Sequence, residues 1–335
     1  MNYSTPASTT PSRGLRQPVS EPSLPSPERL QRLHHDVVRW YAEHARELPW
    51  RSPDRTPWQV MVSEFMLQQT PVIRVLPRWH EWMRLWPEPA DLARASTGEA
   101  VRQWGRLGYP RRALRLHAAA VAITEKHDGQ VPESYDDLLA LPGVGSYTAA
   151  AISVFAFGHR QTVIDTNIRR VHARAVTGKA LPSKSLTAAE SRLADALMPE
   201  DDDAAVAWNS AVMELGALVC TARAPRCDEC PILHDCAWVA AGRPEPEYVP
   251  RGQSWKGTDR QARGAVMAVL RQAERPVPQE SLLSPTDATP NVPEKPLAAL
   301  RDLGSSREQL ERCIDGLVKD GLAHRDSDGA LSLPR

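Results

Sequence analysis

Four cysteines carry the most distinctive chemistry of the chain. Cys220, Cys227, Cys230 and Cys236 follow the pattern C-x6-C-x2-C-x5-C. Four thiolates this close in sequence can enclose one metal centre. A tetrahedral zinc knot and a [4Fe–4S] cluster both use four cysteines, and the spacing alone leaves both open. Cys313 falls on an apolar helical face and reads as a small core residue. Two carboxylates form the second group. Glu64 sits in the mostly apolar stretch Val62-Ser63-Glu64-Phe65-Met66-Leu67-Gln68-Gln69-Thr70, and Asp165 follows Val163-Ile164 just before a helix start. Alone, they read as a half-exposed helix position and a helix cap. As a pair in different surroundings, they could divide the work of breaking a glycosidic bond, one as acid and one ionised. A third group is Leu141-Pro142-Gly143-Val144-Gly145. Its glycines allow a tight turn and close approach of backbone N–H groups to an anion, and a helix starting at Ser146 adds its positive end. Read alone, it is a helix connector.

Basic residues gather around these positions. Arg160, Arg169, Arg170, Arg174, Lys179 and Lys184 face the single acid Asp165 between residues 158 and 185, and Arg111, Arg112 and Arg115 form a second group. Such clusters suit a phosphate track.

The elements that must position these groups read as helices. Trp58–Gln69 and the stretches 110–127, 134–140, 146–157, 166–176, 187–198 and 203–219 have helical apolar spacing, after a first helix from Pro27 carrying Leu30, Leu33, Val37, Val38 and Tyr41. An all-α body over 28–245 is expected. Residues 1–27, rich in proline and serine, read as a disordered tail. From 246 to 335 the expectation is helix 258–274, a short helix 279–284, a proline-rich flexible insertion 285–305, a helix opened by a Ser306/Gln309 capping box, and a hairpin about Asp328-Gly329. That order is winged-helix-like. The 335 residues carry 41 basic and 41 acidic side chains, which excludes a histone-like binder. No signal segment or membrane span is evident, so a cytosolic protein is expected.

Several of these segments together resemble one family. The cysteine loop, L-P-G-V-G-S-Y-T-A, L-G-Y-P-R-R-A and M-E-L-G-A-L-V-C resemble the endonuclease III superfamily of helix-hairpin-helix DNA glycosylases. S-E-F-M-L-Q-Q-T and V-I-D-T-N-I-R-R-V are similar to its adenine-glycosylase branch, the MutY type. The likeness runs in order from residue 30 to about 240. It implies a [4Fe–4S] cluster on the four cysteines, with Arg223 and Arg226 in a phosphate-facing loop. It implies that Glu64 protonates a flipped adenine and then activates water, that Asp165 stabilises the sugar cation, and that Tyr147 and Asn167 support them. Gln69 and Tyr109 match residues that wedge into the base stack, Thr70 and Leu107 residues near an oxidised guanine, and Arg51 a base-pocket residue. Gly143 and Gly145 would grip phosphate, with a monovalent cation at the turn. Where the endonuclease III branch has a lysine nucleophile, this chain has Tyr147, which implies a monofunctional glycosylase.

The implied partner is double-stranded DNA with adenine opposite 8-oxoguanine or guanine, bound by a cytoplasmic, nucleoid-associated monomer. Residues 237–335 do not resemble the NUDIX-type domain of many relatives; in this the chain is similar to actinobacterial-type forms. Two rival readings are a mismatch-thymine glycosylase and a non-enzymatic iron–sulfur DNA-binding regulator. Glu64 favours a purine, whose N7 can take a proton.

Overall fold

The structure is a computed structural model that describes residues 24–249, 252, 254–284 and 291–335. The expected tail falls almost wholly outside them. Helices α1 (Pro27–His44), α2 (Pro57–Leu67), α3 (Val72–Leu85), α4 (Pro89–Arg94), α5 (Thr97–Trp104), α6 (Arg111–Lys126), α7 (Tyr135–Ala140), α8 (Ser146–Phe157), α9 (Thr166–Ala175), α10 (Ala188–Ala196), α11 (Asp202–Leu218) and α12 (Ala237–Ala240) build the body. Their starts are written in the sequence. Ser26 caps α1, Thr56 and Gln59 close a reciprocal capping box on α2, and Asp165 and Asp201 cap α9 and α11.

Two apolar cores result. One gathers α2 to α8 around Trp58, Trp82 and Trp104, with the Trp82 ring edge-on to Trp86 at 4.7 Å and to Trp104 at 5.5 Å. The other joins α1, α9, α10 and α11 through Leu33, Val37, Ile168, Leu193 and Trp208. Helix α8 is apolar around its whole circumference and serves both, Ala149 and Ile152 in the first and Ala150, Ala151 and Val154 in the second. Helices α9 and α11 approach closely at Gly216, where a Cβ would lie 2.7 Å from Asn167 Cβ.

The C-terminal elements are α13 (Asp259–Gln272), β1 (Val277–Pro278), α14 (Gln279–Leu283), α15 (Glu294–Arg301), α16 (Arg307–Lys319), β2 (His324–Arg325) and β3 (Ala330–Ser332). The strands form an antiparallel sheet in the order β1-β3-β2, with Val277 and Arg325 both paired to Leu331. The hairpin and the helices near 258–274, near 279–284 and after Ser306 lie where expected, and β1 is additional. The flexible insertion is corrected in its second half. Residues 285–290 lie outside the described residues, but Glu294–Arg301 is a helix, because Pro296, Leu297 and Leu300 bury themselves on one side of it. Half of the expected capping box at Ser306 forms. Ser306 accepts from Gln309 N, but the Gln309 amide donates instead to Gly257 O and to Asp259 Oδ1.

This segment packs on the body without a break in the first core. Thr97 Oγ1 donates to Arg335 O at 2.8 Å and Arg102 donates to Arg271 O. Gly98 has no room for a Cβ, because the Pro334 carbonyl lies against it. No helix of the described residues is long and apolar enough to cross a membrane.

Candidate active site

Helices α2, α8 and α9 bring Glu64, Tyr147 and Asp165 together where the two cores meet. Glu64 is only 6% exposed, and Tyr147 Oη donates to its Oε2 at 3.1 Å. Burial is the main cause that raises Glu64, to about 7. The Tyr147 hydrogen bond and Arg51 pull it down, and the charge of Asp165 pushes it up. Burial together with the two carboxylates holds the Tyr147 phenol far above its ordinary range, so it stays a donor.

Asp165 has different surroundings. Its Oδ1 accepts from Ile168 N at 2.6 Å and its Oδ2 from Asn167 Nδ2 at 2.9 Å. Burial raises this carboxyl too, but those donors and Arg170 oppose the shift, and the positive end of α9 favours the charge. Asn167 is oriented in turn by Arg170 Nη2 on its Oδ1, at 2.9 Å. Glu64 is thus raised to where it shares its proton near neutral pH, whereas Asp165, also raised by burial, has more donors opposing the shift.

Arg51 borders Glu64 and is fixed by a residue that sequence reasoning passed over. Glu214, fully buried, accepts from Arg46 Nε and Nη2 at 2.7 Å and from Arg51 Nη2 at 2.9 Å. These two arginines hold its carboxyl down at about 2, although burial alone would raise it. Arg51 Nη1 is buried without a protein partner. Nothing local in M-E-L-G-A-L separates this glutamate from one facing solvent.

A second cluster lies at the loops after α2 and before α6. Gln69 and Tyr109 both adopt left-handed backbone angles, φ 54° and 46°, which is strained for such residues. Both side chains are exposed, Tyr109 by 43%. Thr70 and Leu107 are buried beneath them, with Thr70 Oγ1 donating to Leu107 O at 3.2 Å. Arg112 joins the two loops. It donates to the carbonyls of Phe65, Met66, Gln68 and Gly108 and to Thr70 Oγ1.

The turn Gly143-Val144-Gly145, its glycines exposed and Val144 buried between them, precedes α8. Gly143 has φ +78°, and a Cβ there would lie 2.5 Å from Arg115 Cβ. Gly145 leaves the first N–H groups of α8 without a side-chain cap.

The expected phosphate track is corrected in part. Arg112, Arg170 and Arg174 are buried, and Arg169 is engaged by Ser183 O, Ser185 O and Glu190. Their guanidinium groups satisfy carbonyls at helix ends and loops, a use that sequence cannot tell from phosphate contact. Arg160, Lys179, Lys184, Arg111 and Arg115 are the exposed members. In the cysteine loop Arg223 is exposed, whereas Arg226 donates to Leu218 O and pairs with Glu229.

Cys220, Cys227, Cys230 and Cys236 line one pocket with Val219, Pro225, Leu233, Trp238 and Val239. Among the described residues, no three His, Cys, Asp or Glu side chains converge as they would on a single ion. Zinc, with Zn–S bonds of about 2.3 Å, would draw four sulfurs to within roughly 4 Å of one another. Four cysteines on one pocket that do not converge on a single point fit a cluster, whose four irons each take one thiolate. Arg174 Nη1 approaches Cys220 Sγ at 3.3 Å, a donor suited to cluster sulfur. Burial and the three neighbouring cysteines push the Cys230 thiol up to about 12, so it needs a cationic centre to ionise.

Known proteins agree with this arrangement. Residues 62–195 match the HhH-GPD superfamily of base excision DNA repair proteins, and residues 220–236 match the iron–sulfur binding domain of endonuclease III. The chain is 45% identical over 317 residues to the adenine DNA glycosylase of Mycobacterium tuberculosis, covering 94% of this chain and 97% of the relative. It is 38% identical over 235 residues to the human adenine DNA glycosylase, covering 66% of this chain and 42% of the relative. Among solved structures, a thermostable thymine-DNA glycosylase superposes with a TM-score of 0.57 at 25% identity, over 64% of this chain and 98% of that one. An endonuclease III–DNA covalent intermediate gives 0.55 at 21%, over 64% and 97%, a likeness of fold. On its identity with the Mycobacterium tuberculosis enzyme over nearly the whole of both chains, the chain belongs to the adenine DNA glycosylase family.

Proposed function

We propose that the protein hydrolyses the N-glycosidic bond of adenine paired with 8-oxoguanine or guanine in double-stranded DNA. The observation that carries this reading is the division of labour between Glu64 and Asp165. A carboxyl with a pKa of about 7 holds a proton for the leaving base, while a donor-bound carboxylate 101 positions further along offsets the charge left on the sugar.

The adenine must leave the helix to reach a carboxyl this deep, which costs a few kcal/mol, less at a mispair. The strained, exposed Gln69 and Tyr109 are placed to fill the gap in the stack, with Thr70 and Leu107 beneath them. In the pocket, Glu64 protonates N7 and the C–N bond breaks, its electron pair leaving with adenine. Asp165 stabilises the oxocarbenium ion or bonds to it transiently. Glu64, now ionised, takes a proton from the water that attacks the sugar, which restores its acid form. Arg51, anchored by Glu214, aims its unpartnered N–H at the base pocket. The Gly143–Gly145 turn and the first N–H groups of α8 bind phosphate without reading sequence. The [4Fe–4S] cluster held by the four cysteines shapes the loop carrying Arg223. Tyr147 has no amine, so no Schiff base forms and the abasic strand stays whole.

Removal of thymine from a mispair is the second reading, favoured by the likeness to a thymine-DNA glycosylase structure. A pyrimidine has no N7 to take the Glu64 proton. Chromatographic identification of the base released from duplexes pairing adenine with 8-oxoguanine, guanine or cytosine, and thymine with guanine, separates the two. Free adenine from the first two duplexes, with no borohydride-trapped protein–DNA adduct, is expected. Release of thymine alone would refute the proposal.

A further inference from the structure

The C-terminal segment reaches the loop that carries Tyr109, and the contact is specific. Arg260, on the first turn of α13, places its Cζ 4.7 Å from the centroid of the Tyr109 ring and 5.7 Å from that of Trp255. From within the body, Arg112 Cζ lies 5.7 Å from the same tyrosine ring. Tyr109 is therefore an exposed ring on a strained backbone, steered by two guanidinium groups from two parts of the chain. Trp255 is itself 53% exposed.

The segment is docked so that this contact is held. Arg111 pairs with Asp320 at 3.5 Å, and a Cβ added at Gly321 would lie 3.8 Å from Leu114 Cδ1. With the bonds from Thr97 and Arg102, these anchor it on α5 and α6, the helices on either side of the Tyr109 loop. Helix α16, by contrast, is poorly equipped to read a groove. Arg307 is taken by Glu280 and Arg312 by Asp259, and Asp315 faces Arg325.

We infer that Arg260 is a positioning residue for Tyr109, and that the C-terminal segment serves lesion recognition in duplex DNA through the Trp255–Arg260–Tyr109 stack rather than through α16. The inference rests on Tyr109 entering the base stack, as proposed above. A ring already oriented enters the opened stack without first losing rotamer freedom, which favours the lesion duplex and is neutral toward an intact one.

The test uses the full, cluster-loaded chain and two duplexes of one sequence. One pairs 8-oxoguanine with a non-hydrolysable 2′-fluoro adenosine nucleotide, and the other is undamaged. The readout is the ratio of the two dissociation constants for wild type, Arg260→Ala, Arg260→Lys, Tyr109→Ala and the Arg260→Ala/Tyr109→Ala double variant. Arg260→Ala is expected to lower the preference for the lesion roughly three- to tenfold, the scale of a cation–π contact. Arg260→Lys should keep most of it, and the double variant should lose no more than Tyr109→Ala alone. Iron content and melting temperature should not change. An equal loss on both duplexes in Arg260→Ala would make the arginine a phosphate contact, and additive losses would make it independent of Tyr109; either overturns the inference. If Tyr109→Ala itself leaves the preference intact, the stack-entering role fails and the inference with it. If only Arg260→Ala is silent, the inference alone fails.

Discussion

At the scale of single residues, the site depends on one buried carboxyl whose ionisation is costly. Glu64 is raised from 4.5 to about 7, so its contribution to stability is fully present below pH 4.5 and is lost as pH rises through 7. The penalty in the ionised state is about 3 kcal/mol. Glu64→Gln removes it, and the variant should melt above wild type at pH 8 with the gap closing by pH 5, as thermal denaturation at the two pH values would record. A gap independent of pH would contradict the burial argument. Tyr147→Phe deletes the hydrogen bond that lowers Glu64, so its pKa climbs further. The descending limb of the single-turnover rate should move to higher pH; movement the other way would mean that Tyr147 serves another group. Read alone, Glu64 and Asp165 were a helix position and a helix cap, and the likeness of S-E-F-M-L-Q-Q-T and V-I-D-T-N-I-R-R-V to the adenine-glycosylase branch is what marked them out. Glu214 went unmarked, because nothing local distinguishes a glutamate clamped by Arg46 and Arg51 from one facing solvent.

At the scale of elements, arginines do much of the joining. Arg112 gathers four carbonyls and a hydroxyl from the two loops that present Gln69 and Tyr109. Removing the side chain takes the donor from the buried Phe65 and Met66 carbonyls at the end of α2, at a cost of about 3 kcal/mol. Arg112→Ala should lower the urea midpoint accordingly and slow excision as the loops lose their register. An unchanged midpoint would show that water replaces the guanidinium without cost. Periodicity and caps revealed α1, α2, α7, α9, α10 and α11, whose starts carry a capping side chain, whereas α6 and α8 lack one and showed by apolar composition alone, and α3 to α5 were not singled out. These signals failed at β1 and α15, where prolines 278, 293 and 296 mimic a loop. They failed equally for Arg170 and Arg174, since a charge alone does not say whether it meets a phosphate or a buried carbonyl.

At the scale of the whole molecule, α8 is the shared wall of two cores, and the reactive groups lie along that seam. Glu64 comes from one core and Asp165 from the other, so the acid and the carboxylate are set in place only when both have packed. The cysteine loop closes the second core through Ile232 and Val219, with Cys220 and Cys230 packed against it. The C-terminal segment extends the first core and braces the Tyr109 loop. The measurement that tests this account most directly is single-turnover release of adenine opposite 8-oxoguanine between pH 5 and 9, by wild type and by Glu64→Gln. The account predicts a wild-type rate that falls tenfold per pH unit above about 7, and a variant slower by about a hundredfold or more that still binds the duplex. A variant that releases adenine at the wild-type rate would show that Glu64 is not the acid.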